Sequence, residues 1–280
     1  MEKIPYFSII SIHLNHPDGL ARTAQSLKCQ SFQDYEWILI DGASTPPVPS
    51  ALQAEARVYI SAPDQGIYDA MNKGLKQAKG DYVLFLNAGD ALAGPDVLTQ
   101  LAALICAQPR PPVFVYGDSL EETKNGPPSY KPARAHHTIN LGMFTHHQAM
   151  LYRRESLRGL HYDLRYRIAA DYDFTLRFLC TAAAQESGAV LYASFALCLF
   201  ESGGVSQTKA KLGRREQFII RRRQRSAHIM ENIFIYAVQS LVWALRRASP
   251  SLYWRLKSKT LSSGNTSSAS GQNETRAHHP

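Results

Sequence analysis

The stretch GIYDAMNKGLKQAKGDYVLFLNAGD, residues 66–90, decides the fold because a predicted helix runs directly into a predicted strand. The apolar residues of its first half recur at helical spacing: Ile67, Met71 and Leu75. Its second half is a short apolar run between glycines, which is typical of a buried strand. That run ends in Asn87 and Asp90, with two small residues between them. A strand that delivers an amide and a carboxylate to one point indicates either an ordinary turn or a binding site.

The same alternation of strand and helix extends through the first 120 residues. Predicted strands cover residues 6–14, 35–41, 57–64, 82–90 and 112–120, and predicted helices cover residues 16–31, 66–81 and 96–108. Strands that alternate with helices over short connections favour an α/β fold, in which a parallel sheet lies between two layers of helices. Residues 121–137 are polar and rich in proline, and we expect them to form a long loop.

Three of the predicted strands end in a carboxylate, at Asp41, Asp64 and Asp90. In open α/β sheets, ligands bind beyond the carboxyl ends of the strands. One aspartate at such a point would be ordinary turn chemistry, but carboxylates that cluster without a partner repel one another. The three together therefore predict a cation or a hydrogen-bonding ligand at this edge.

Further candidate residues lie in the second half of the chain. Asp171 and Asp173 stand near the start of a predicted helix, where acidic side chains also interact favourably with the helix dipole. His146 and His147 precede a short apolar strand and could contact a ligand or a metal, or lie in solvent. Gly203 and Gly204 indicate either a hinge or a plain turn after the last predicted strand.

Six blocks in this order resemble the family 2 glycosyltransferases of the GT-A fold. They are SIISI, EWILIDGAST, SAPDQGIYDAMNKGLKQAKGDYVLFLNAGD, HHQAMLYRRE, YRIAADYDFTLR and ESGGVS, within residues 6–208. Within the family the sequence is most similar to transferases of exopolysaccharide assembly, such as the colanic-acid-type, proposed fucosyl, transferases. The resemblance implies a Rossmann-like nucleotide-binding half with a mostly parallel sheet, joined to an acceptor half.

The resemblance also implies an inverting transfer of a sugar from a nucleotide-sugar donor to an acceptor hydroxyl. Asp41 and Asp64 match acidic residues that contact the donor nucleotide, and Asn72 and Lys73 lie on the helix beside the donor pocket. Asn87 and Asp90 occupy the place of the DxD motif, with Asp90 at its final, metal-binding position.

For the base, the resemblance points to Asp171, with Asp173 as the second candidate. The glutamate that normally precedes this aspartate is replaced by Ala170. His147 is a candidate for acceptor binding or for the metal shell.

The chemistry of such a transfer needs a neutralised leaving diphosphate and a deprotonated acceptor hydroxyl. A hard cation such as Mg²⁺ or Mn²⁺ meets the first need, and Mg²⁺ commonly takes only one or two protein carboxylates. Asp90 with the neutral Asn87 is therefore sufficient, at the expected cost of weaker metal binding. Asp171 would act as general base on the opposite face of the sugar, which gives inversion.

The sequence also has to be compared with what two other functions would require. Nucleotidyl transfer by a similar sheet would want a glycine-rich phosphate loop after the first strand, and the segment HLNHPDG does not supply one. A donor-binding or scaffold protein with impaired activity is the second alternative, suggested by Asn87 and Ala170.

The charge of the chain is concentrated near its end. Residues 209–259 contain 13 lysines and arginines against two acidic residues, whereas residues 1–208 contain 17 against 20. Residues 229–247 form one continuous apolar face at helical spacing. Polar residues on the opposite face break the run of about 20 predominantly apolar residues that a membrane-spanning helix needs. Basic residues beside an amphipathic helix favour attachment to an anionic membrane surface through residues 213–259. Packing on the body of the protein is the alternative, and no recognised module accompanies the charge to indicate nucleic acid.

The predicted organisation has four parts. Residues 1–118 form the nucleotide-sugar-binding half, residues 119–208 the acceptor and catalytic-base half, residues 209–259 the basic helical extension, and residues 260–280 a disordered tail. The four cysteines are widely spaced, which fits a reducing compartment. We therefore expect a cytoplasmic protein on the cytoplasmic face of the inner membrane, with a lipid-linked saccharide as the acceptor.

Overall fold

The computed structural model describes residues 3–123, 126–204 and 208–249, and it confirms the α/β fold. The strands are β1 (Phe7–His13), β2 (Tyr35–Asp41), β3 (Val58–Ser61), β4 (Tyr82–Phe85), β5 (Ala91–Leu92), β6 (Phe114–Thr123), β7 (Gly126–Lys131), β8 (Met150–Arg153) and β9 (Val190–Phe200). The helices are α1 (Pro17–Lys28), α2 (Ser50–Glu55), α3 (Ile67–Gln77), α4 (Val97–Cys106), α5 (Ala170–Leu179), α6 (Ala182–Gln185), α7 (Ala210–Gln224) and α8 (Ile229–Ala248). Short 3-10 segments lie at His136–Leu141, His147–Ala149 and Arg154–Leu157.

The described strands form one mixed sheet in the order β3-β2-β1-β4-β8-β6-β9-β5, with β7 paired to β6. The first four strands are parallel, as predicted, and Ile10 on β1 pairs with Ile38 on one side and Phe85 on the other. Strand β8 is antiparallel to both β4 and β6, so the second half of the sheet departs from the parallel pattern. The parallel strands end at one edge, which brings the predicted carboxylates together there.

Helices cover both faces of the sheet, and every residue of β1 is buried. Successive side chains of a strand point to opposite faces, so Ile10 joins the core with α3 and α5, whereas Ile9 joins the core with α1 and α4. Full burial of each such side chain contributes about 1.5–3 kcal/mol. A strand that is apolar on both faces is typical of a parallel sheet in an α/β protein.

The predicted loop at residues 121–137 is wrong in its first half. Strand β6 continues to Thr123, and β7 returns antiparallel to it. The sequence at this point contains Asn125 followed by Gly126, and an Asn-Gly pair is a recognised hairpin signal. Strand β7 pairs with β6 at the edge, and its two prolines are tolerated because an edge strand leaves one row of hydrogen-bonding groups unpaired.

Helix α3 contacts the sheet with part of the predicted face, since Met71 is buried and Leu75 packs against the core, but Ile67 does not belong to it. Its buried residues are Tyr68, Ala70, Met71 and Gly74. Ile67 is 41% exposed, so it does not share the buried face with Met71. A Cβ at position 74 would lie 2.4 Å from Ile10 Cγ2, so Gly74 allows α3 to approach β1 closely.

The chain divides into two compact units, residues 1–226 and 227–280. The first unit contains the whole sheet and also α7, and the described part of the second contains α8. The division into donor and acceptor halves at residue 118, and the boundary at residue 208, stay predictions. The tail predicted to be disordered, residues 260–280, lies outside the described residues. None of the described helices is long and apolar enough to cross a membrane.

Replacing Gly74 with valine should destabilise the protein. The new side chain would overlap Ile10, which is fully buried on a central strand, and overpacking of this kind costs about 1–3 kcal/mol. Chemical denaturation measures the free energy of unfolding. Gly94→Val is the matched control, because nothing lies within 4 Å of a Cβ at that position. Equal destabilisation by both variants would contradict this explanation.

Candidate active site

The carboxylate of Asp41 is fully buried at the end of β2. It accepts hydrogen bonds from the backbone N–H of Ser44, 3.2 Å from each oxygen, and from Ser61 Oγ at 2.7 Å. The Ser44 hydroxyl donates to it as well. Burial raises the pKa of Asp41, but these hydrogen bonds and the neighbouring His13 outweigh that effect and hold it below its usual value. Asp41 is therefore ionised and rigidly held.

Asp64 lies beside Asp41 at the same edge of the sheet, as predicted. A Cβ at Gly42, the residue after Asp41, would lie 2.6 Å from Asp64 Oδ2, so only a glycine leaves room for this carboxylate. The other oxygen of Asp64 accepts from the backbone N–H of Gly66 at 2.8 Å. The edge is also strained, because Ala43 has a positive φ of 65° although it is not a glycine.

The side chains of Asn72 and Lys73 tie α3 to neighbouring segments. The Asn72 amide donates to the carbonyl of Tyr162 at 3.0 Å and accepts from its N–H at 2.8 Å. Lys73 Nζ donates to the carbonyl of Pro63 at 2.7 Å and lies 3.3 Å from Asp69. Contact of Asn72 and Lys73 with a donor stays a prediction, since protein groups hold both side chains here.

Asn87 and Asp90 form a tight turn at the end of β4, in which the Asp90 N–H donates to the Asn87 carbonyl at 2.9 Å. Asp90 is only 4% exposed, and its two oxygens accept from Gln148 Nε2 at 2.7 Å and from the Glu201 N–H at 2.9 Å. Burial raises the pKa of Asp90 to about 7, although these two hydrogen bonds act in the opposite direction.

A charged group that sequence reasoning missed lies against this turn. Glu201 Oε2 would lie 2.1 Å from a Cβ at Gly89, whose φ is +104°, so glycine is required there. His16 Nε2 lies 3.0 Å from Glu201, and Arg22 lies 3.6 Å from it and also pairs with Glu122. The only sequence signal for Glu201 was its place at the start of the ESGGVS block.

The residues at this turn fit a hard divalent cation that takes few ligands from protein. Asn87 Oδ1 is buried and has no hydrogen-bond partner among the described residues, so an amide oxygen is left available beside the Asp90 carboxylate. Within the described residues no group of three His, Cys, Asp or Glu side chains is placed to hold a metal. A cation here would therefore draw most of its ligands from water and phosphate oxygens, as Mg²⁺ commonly does.

Asp171 lies in the first turn of α5 and is partly exposed. One of its oxygens accepts from the Tyr172 N–H at 2.8 Å and from the Tyr68 hydroxyl at 3.2 Å. Burial raises the pKa of Asp171 to about 6 against the effect of these hydrogen bonds, and the charge of Glu216 adds to the increase. A carboxylate with this pKa is mostly ionised at neutral pH and can still accept a proton.

Asp173, two residues further on, is in a different situation. It is 1% exposed, and its oxygens accept from Arg177 Nε at 2.7 Å and from Gln224 Nε2 at 3.0 Å. The ion pair with Arg177 one turn along the helix is typical of a structural carboxylate.

His147 belongs to an aromatic cluster that connects Asp90, at the edge of the sheet, with Asp171, on α5. Its Nε2 lies 2.9 Å from the Tyr162 hydroxyl, and burial lowers its pKa to about 3, so the ring is neutral. The Tyr162 ring stacks on that of Tyr68, with centroids 5.5 Å apart, and the Tyr68 hydroxyl contacts Asp171. Since Gln148 follows His147 and binds Asp90, a continuous series of contacts links Asp171 to Asp90.

A cavity of about 810 Å³ lies away from this edge of the sheet. Its lining comes from α3 and from residues between 154 and 164. Asn72 is the one predicted site residue among the described residues that line it. We place the chemistry at the carboxyl edge rather than in the cavity, because the buried carboxylates and the unpartnered amide oxygen are at the edge.

Residues 8–160 match the family described as Glycosyl transferase family 2. The PGL/p-HBAD biosynthesis glycosyltransferase of Mycobacterium bovis is 35% identical over 215 residues, which cover 73% of this chain and 80% of the relative. An uncharacterized glycosyltransferase of Mycobacterium tuberculosis is 34% identical over 186 residues, which cover 63% of this chain and 70% of the relative.

Solved structures show the same fold at lower identity. The mannosyltransferase PcManGT from Pyrobaculum calidifontis, in complex with GDP-Man and Mn²⁺, has a TM-score of 0.61 at 14% identity and covers 92% of this chain and 80% of its own. TarS 1-349 of S. aureus, in complex with UDP-GlcNAc, has a TM-score of 0.60 at 19% identity and covers 88% of this chain and 75% of its own. These likenesses confirm the GT-A fold.

His147 should remain neutral throughout the physiological range. Because burial lowers its pKa to about 3, the NMR shifts of its ring C–H protons should not change between pH 8 and pH 5. In the urea-unfolded chain the same resonances should titrate near pH 6.5, the value of an unperturbed histidine. The variant His147→Gln identifies the signal by its loss. A midpoint above pH 5 in the folded protein would contradict the burial described here.

Proposed function

The chain belongs to glycosyl transferase family 2, and on that premise we propose that it moves a sugar, with inversion, from a nucleotide-sugar donor to an acceptor hydroxyl. The observation that carries this proposal is the placement of Asp171 and Asp90 at the two ends of one series of contacts. A transferase needs a base for the acceptor and a charged site for the leaving diphosphate. These two carboxylates supply one group for each need.

Asp171 is the proposed general base. A base works best when its pKa lies near the working pH, because it is then ionised and still accepts a proton readily. The pKa of Asp171, raised to about 6 by burial, meets this requirement. Asp173 is the weaker candidate, since Arg177 and Gln224 already occupy its oxygens.

The donor is proposed to bind at the carboxyl edge of the parallel strands. Asp41 and Asp64 lie side by side there and would hold the base or ribose of the nucleotide through hydrogen bonds. Asn87 would face the diphosphate, and Asn72 and Lys73 would line the pocket from α3. The complexes of TarS with UDP-GlcNAc and of PcManGT with GDP-Man support a nucleotide-sugar as the donor class.

Asp90 and the amide oxygen of Asn87 would hold Mg²⁺ or Mn²⁺. The cation would neutralise the charge that develops on the leaving diphosphate. Asp171 acts from the opposite side of the sugar, because in-line attack puts the incoming oxygen and the leaving group on opposite faces. His147 is neutral and buried, so a role in acceptor binding or in the metal shell would use its unpartnered Nδ1.

The proposed acceptor is a lipid-linked saccharide in bacterial exopolysaccharide assembly, of the colanic-acid type. A glycosyltransferase of PGL/p-HBAD biosynthesis among the relatives supports a role in glycoconjugate assembly. An acceptor of this kind would be met at the cytoplasmic face of the inner membrane.

Membrane attachment through residues 213–259 is proposed from the exposed residues of α8. Seven large apolar side chains of this helix are 42–74% exposed: Ile229, Met230, Ile233, Phe234, Val238, Leu241 and Val242. An exposed apolar helix face of this size marks an interaction surface. Exposed arginines on α7, such as Arg222 and Arg223, would add attraction to anionic lipids.

A second candidate is a donor-binding scaffold with impaired catalysis. It is favoured by Asn87, which replaces a carboxylate in the metal motif, and by Ala170, which replaces one before the base. This candidate predicts stabilisation by nucleotide-sugars without turnover.

The variant Asp171→Asn should lower kcat by about 10²–10⁴ with little change in donor binding. Wild-type kcat should fall as the pH drops below about 6, because protonated Asp171 cannot accept the hydroxyl proton. A panel of nucleotide-sugars with Mn²⁺, followed by thermal stabilisation and by turnover, identifies the donor and gives both quantities.

Asp81→Asn is the matched control, since Asp81 is exposed on the loop before β4. If Asp171→Asn and Asp90→Ala both kept full turnover, the proposed mechanism would be wrong. Stabilisation of the wild-type protein without turnover would favour the scaffold. If no nucleotide-sugar shifted the melting temperature, the donor site would lose its basis.

The double variant Phe234→Asp and Leu241→Asp should bind vesicles containing phosphatidylglycerol at least about tenfold more weakly. Each large apolar side chain removed from water contributes about 1.5–3 kcal/mol. Co-sedimentation with the full-length chain measures the binding. Leu141→Asp is the control, because Leu141 is 52% exposed outside α8. Equal binding by the double variant and the wild type would refute membrane attachment through α8.

A further inference from the structure

A carboxylate outside the predicted site holds the segment that leads to Asp171. Glu216 lies on α7 and is 6% exposed. Its oxygens accept hydrogen bonds from three consecutive backbone N–H groups, each at 2.9 Å: those of Arg167, Ile168 and Ala169. Three hydrogen bonds to one buried carboxylate fix the position of the segment that leads into α5.

The contact lies just before the helix start and includes the N–H of the cap residue, Ala169. The first N–H groups at a helix start lack partners within the helix and are commonly satisfied by a Ser, Thr, Asp or Asn side chain at the cap. In α5 the cap is Ala169, which has no side chain that can accept a hydrogen bond. Glu216 instead binds the N–H groups just before the helix, from 47 residues further along the chain for Ala169.

Ile168 connects Glu216 to the proposed base. Its N–H donates to Glu216, and its carbonyl accepts from the Tyr68 hydroxyl at 2.7 Å. The same hydroxyl lies 3.2 Å from Asp171 Oδ1. A shift of the Ile168 peptide would therefore move both the backbone before Asp171 and the hydroxyl that contacts its carboxylate.

Other contacts fix α7 where Glu216 needs it. Gly213 faces Ile168, and a Cβ on Gly213 would lie 3.2 Å from Ile168 Cγ2. Arg221 is fully buried and donates to the carbonyl of Asn140 at 3.2 Å. Gln224 donates to Asp173 on α5 at 3.0 Å. Helix α7 is thus held along its length against the rest of the first compact unit.

We propose that Glu216 is a positioning residue for Asp171, which sets the direction of the base by fixing residues 167–169. This inference rests on the proposed function, in which Asp171 removes the proton of the acceptor hydroxyl. Glu216 itself contacts neither substrate nor Asp171, so it acts through the backbone and through Tyr68.

The charge of Glu216 gives the proposal a second, independent readout. The ionisable groups around Asp171 are Tyr68 on α3, Tyr152 on β8, Tyr162 and Glu216. Of these, Glu216 is the carboxylate, and its negative charge disfavours a second negative charge on Asp171. Removing that charge lowers the pKa of Asp171, so kcat should persist to lower pH.

The test compares Glu216→Gln and Glu216→Ala with wild type in kcat, KM for the donor and pH profile. Glutamine can keep the bonds to Ile168 and Ala169 through its amide oxygen, and it loses the third bond and the charge. We expect Glu216→Gln to lower kcat about tenfold and Glu216→Ala to lower it further, because a catalytic group misplaced by 1 Å can cost about 100-fold in rate. Donor KM should stay the same, because Glu216 does not lie at the proposed donor site. The fall in kcat at low pH should move below about 6 in Glu216→Gln.

Glu231→Gln is the matched control, the same change at an exposed glutamate on α8. Wild-type kcat and pH profile in Glu216→Gln would overturn the positioning role, and so would a kcat loss without a pH shift. If Glu216→Ala fails to fold, Glu216→Gln decides alone. The proposed function fails separately, when Asp171→Asn and Asp90→Ala both keep full turnover, whatever the Glu216 variants do.

Discussion

The arrangement of the site depends on the two contacts of the Tyr68 hydroxyl, with the Ile168 carbonyl and with Asp171. The hydroxyl lies 2.7 Å from the Ile168 carbonyl and 3.2 Å from Asp171, while its ring stacks on Tyr162. Tyr68 belongs to α3, which packs on the parallel sheet through Gly74. One side chain thus joins the part of the fold that presents Asp41, Asp64 and Asp90 to the part that presents Asp171. It acts together with the hydrogen bonds between Asn72 and Tyr162, which join the same two parts of the fold.

The aromatic cluster between these groups also sets their electrostatics. Tyr68, Tyr162 and the neutral His147 belong to the series of contacts between Asp90 and Asp171, and burial raises the pKa of both carboxyls. In such a poorly solvated region a charge interacts more strongly with any ion brought near it. Asp41 differs because serine hydroxyls surround it, so it stays ionised without a ligand. Asp41 is therefore already satisfied by protein groups, whereas Asp90 at the edge and Asp171 on α5 would each gain from a charged partner or from a proton.

Local patterns in the sequence predicted the parallel strands, the helices between them and the carboxylates at the strand ends, because each depends on residues close together in the chain. The antiparallel pair of β6 and β7 was missed although the Asn-Gly pair in the sequence is a local signal. Glu201 and Glu216 could not be found in this way. Glu201 contacts the turn at Gly89, and Glu216 contacts Ile168, across more than 45 residues of chain. In the sequence, Glu216 resembles an ordinary surface charge on a basic helix. Only the fold shows that it accepts hydrogen bonds from the N–H groups of residues 167–169. The exposure of Ile67 was missed for a related reason, since the sheet and not the helix decides which face is covered.

The position of α7 bears on how such enzymes can be recombined. The segment that matches the family ends at residue 160, before Asp171, and Glu216 lies further still along the chain. A chimera that exchanged only residues 8–160 between two relatives would take Asp41, Asp64 and Asp90 from one protein. Asp171 and α7 would both come from the other. The exchange would also replace Tyr68, so the new α3 would have to present a hydroxyl at the same point. The donor site and the position of the base can thus come from different proteins only when the contacts of the Tyr68 hydroxyl and of Glu216 with Ile168 are preserved. In a lineage of such proteins, α3 and α7 would be expected to change together.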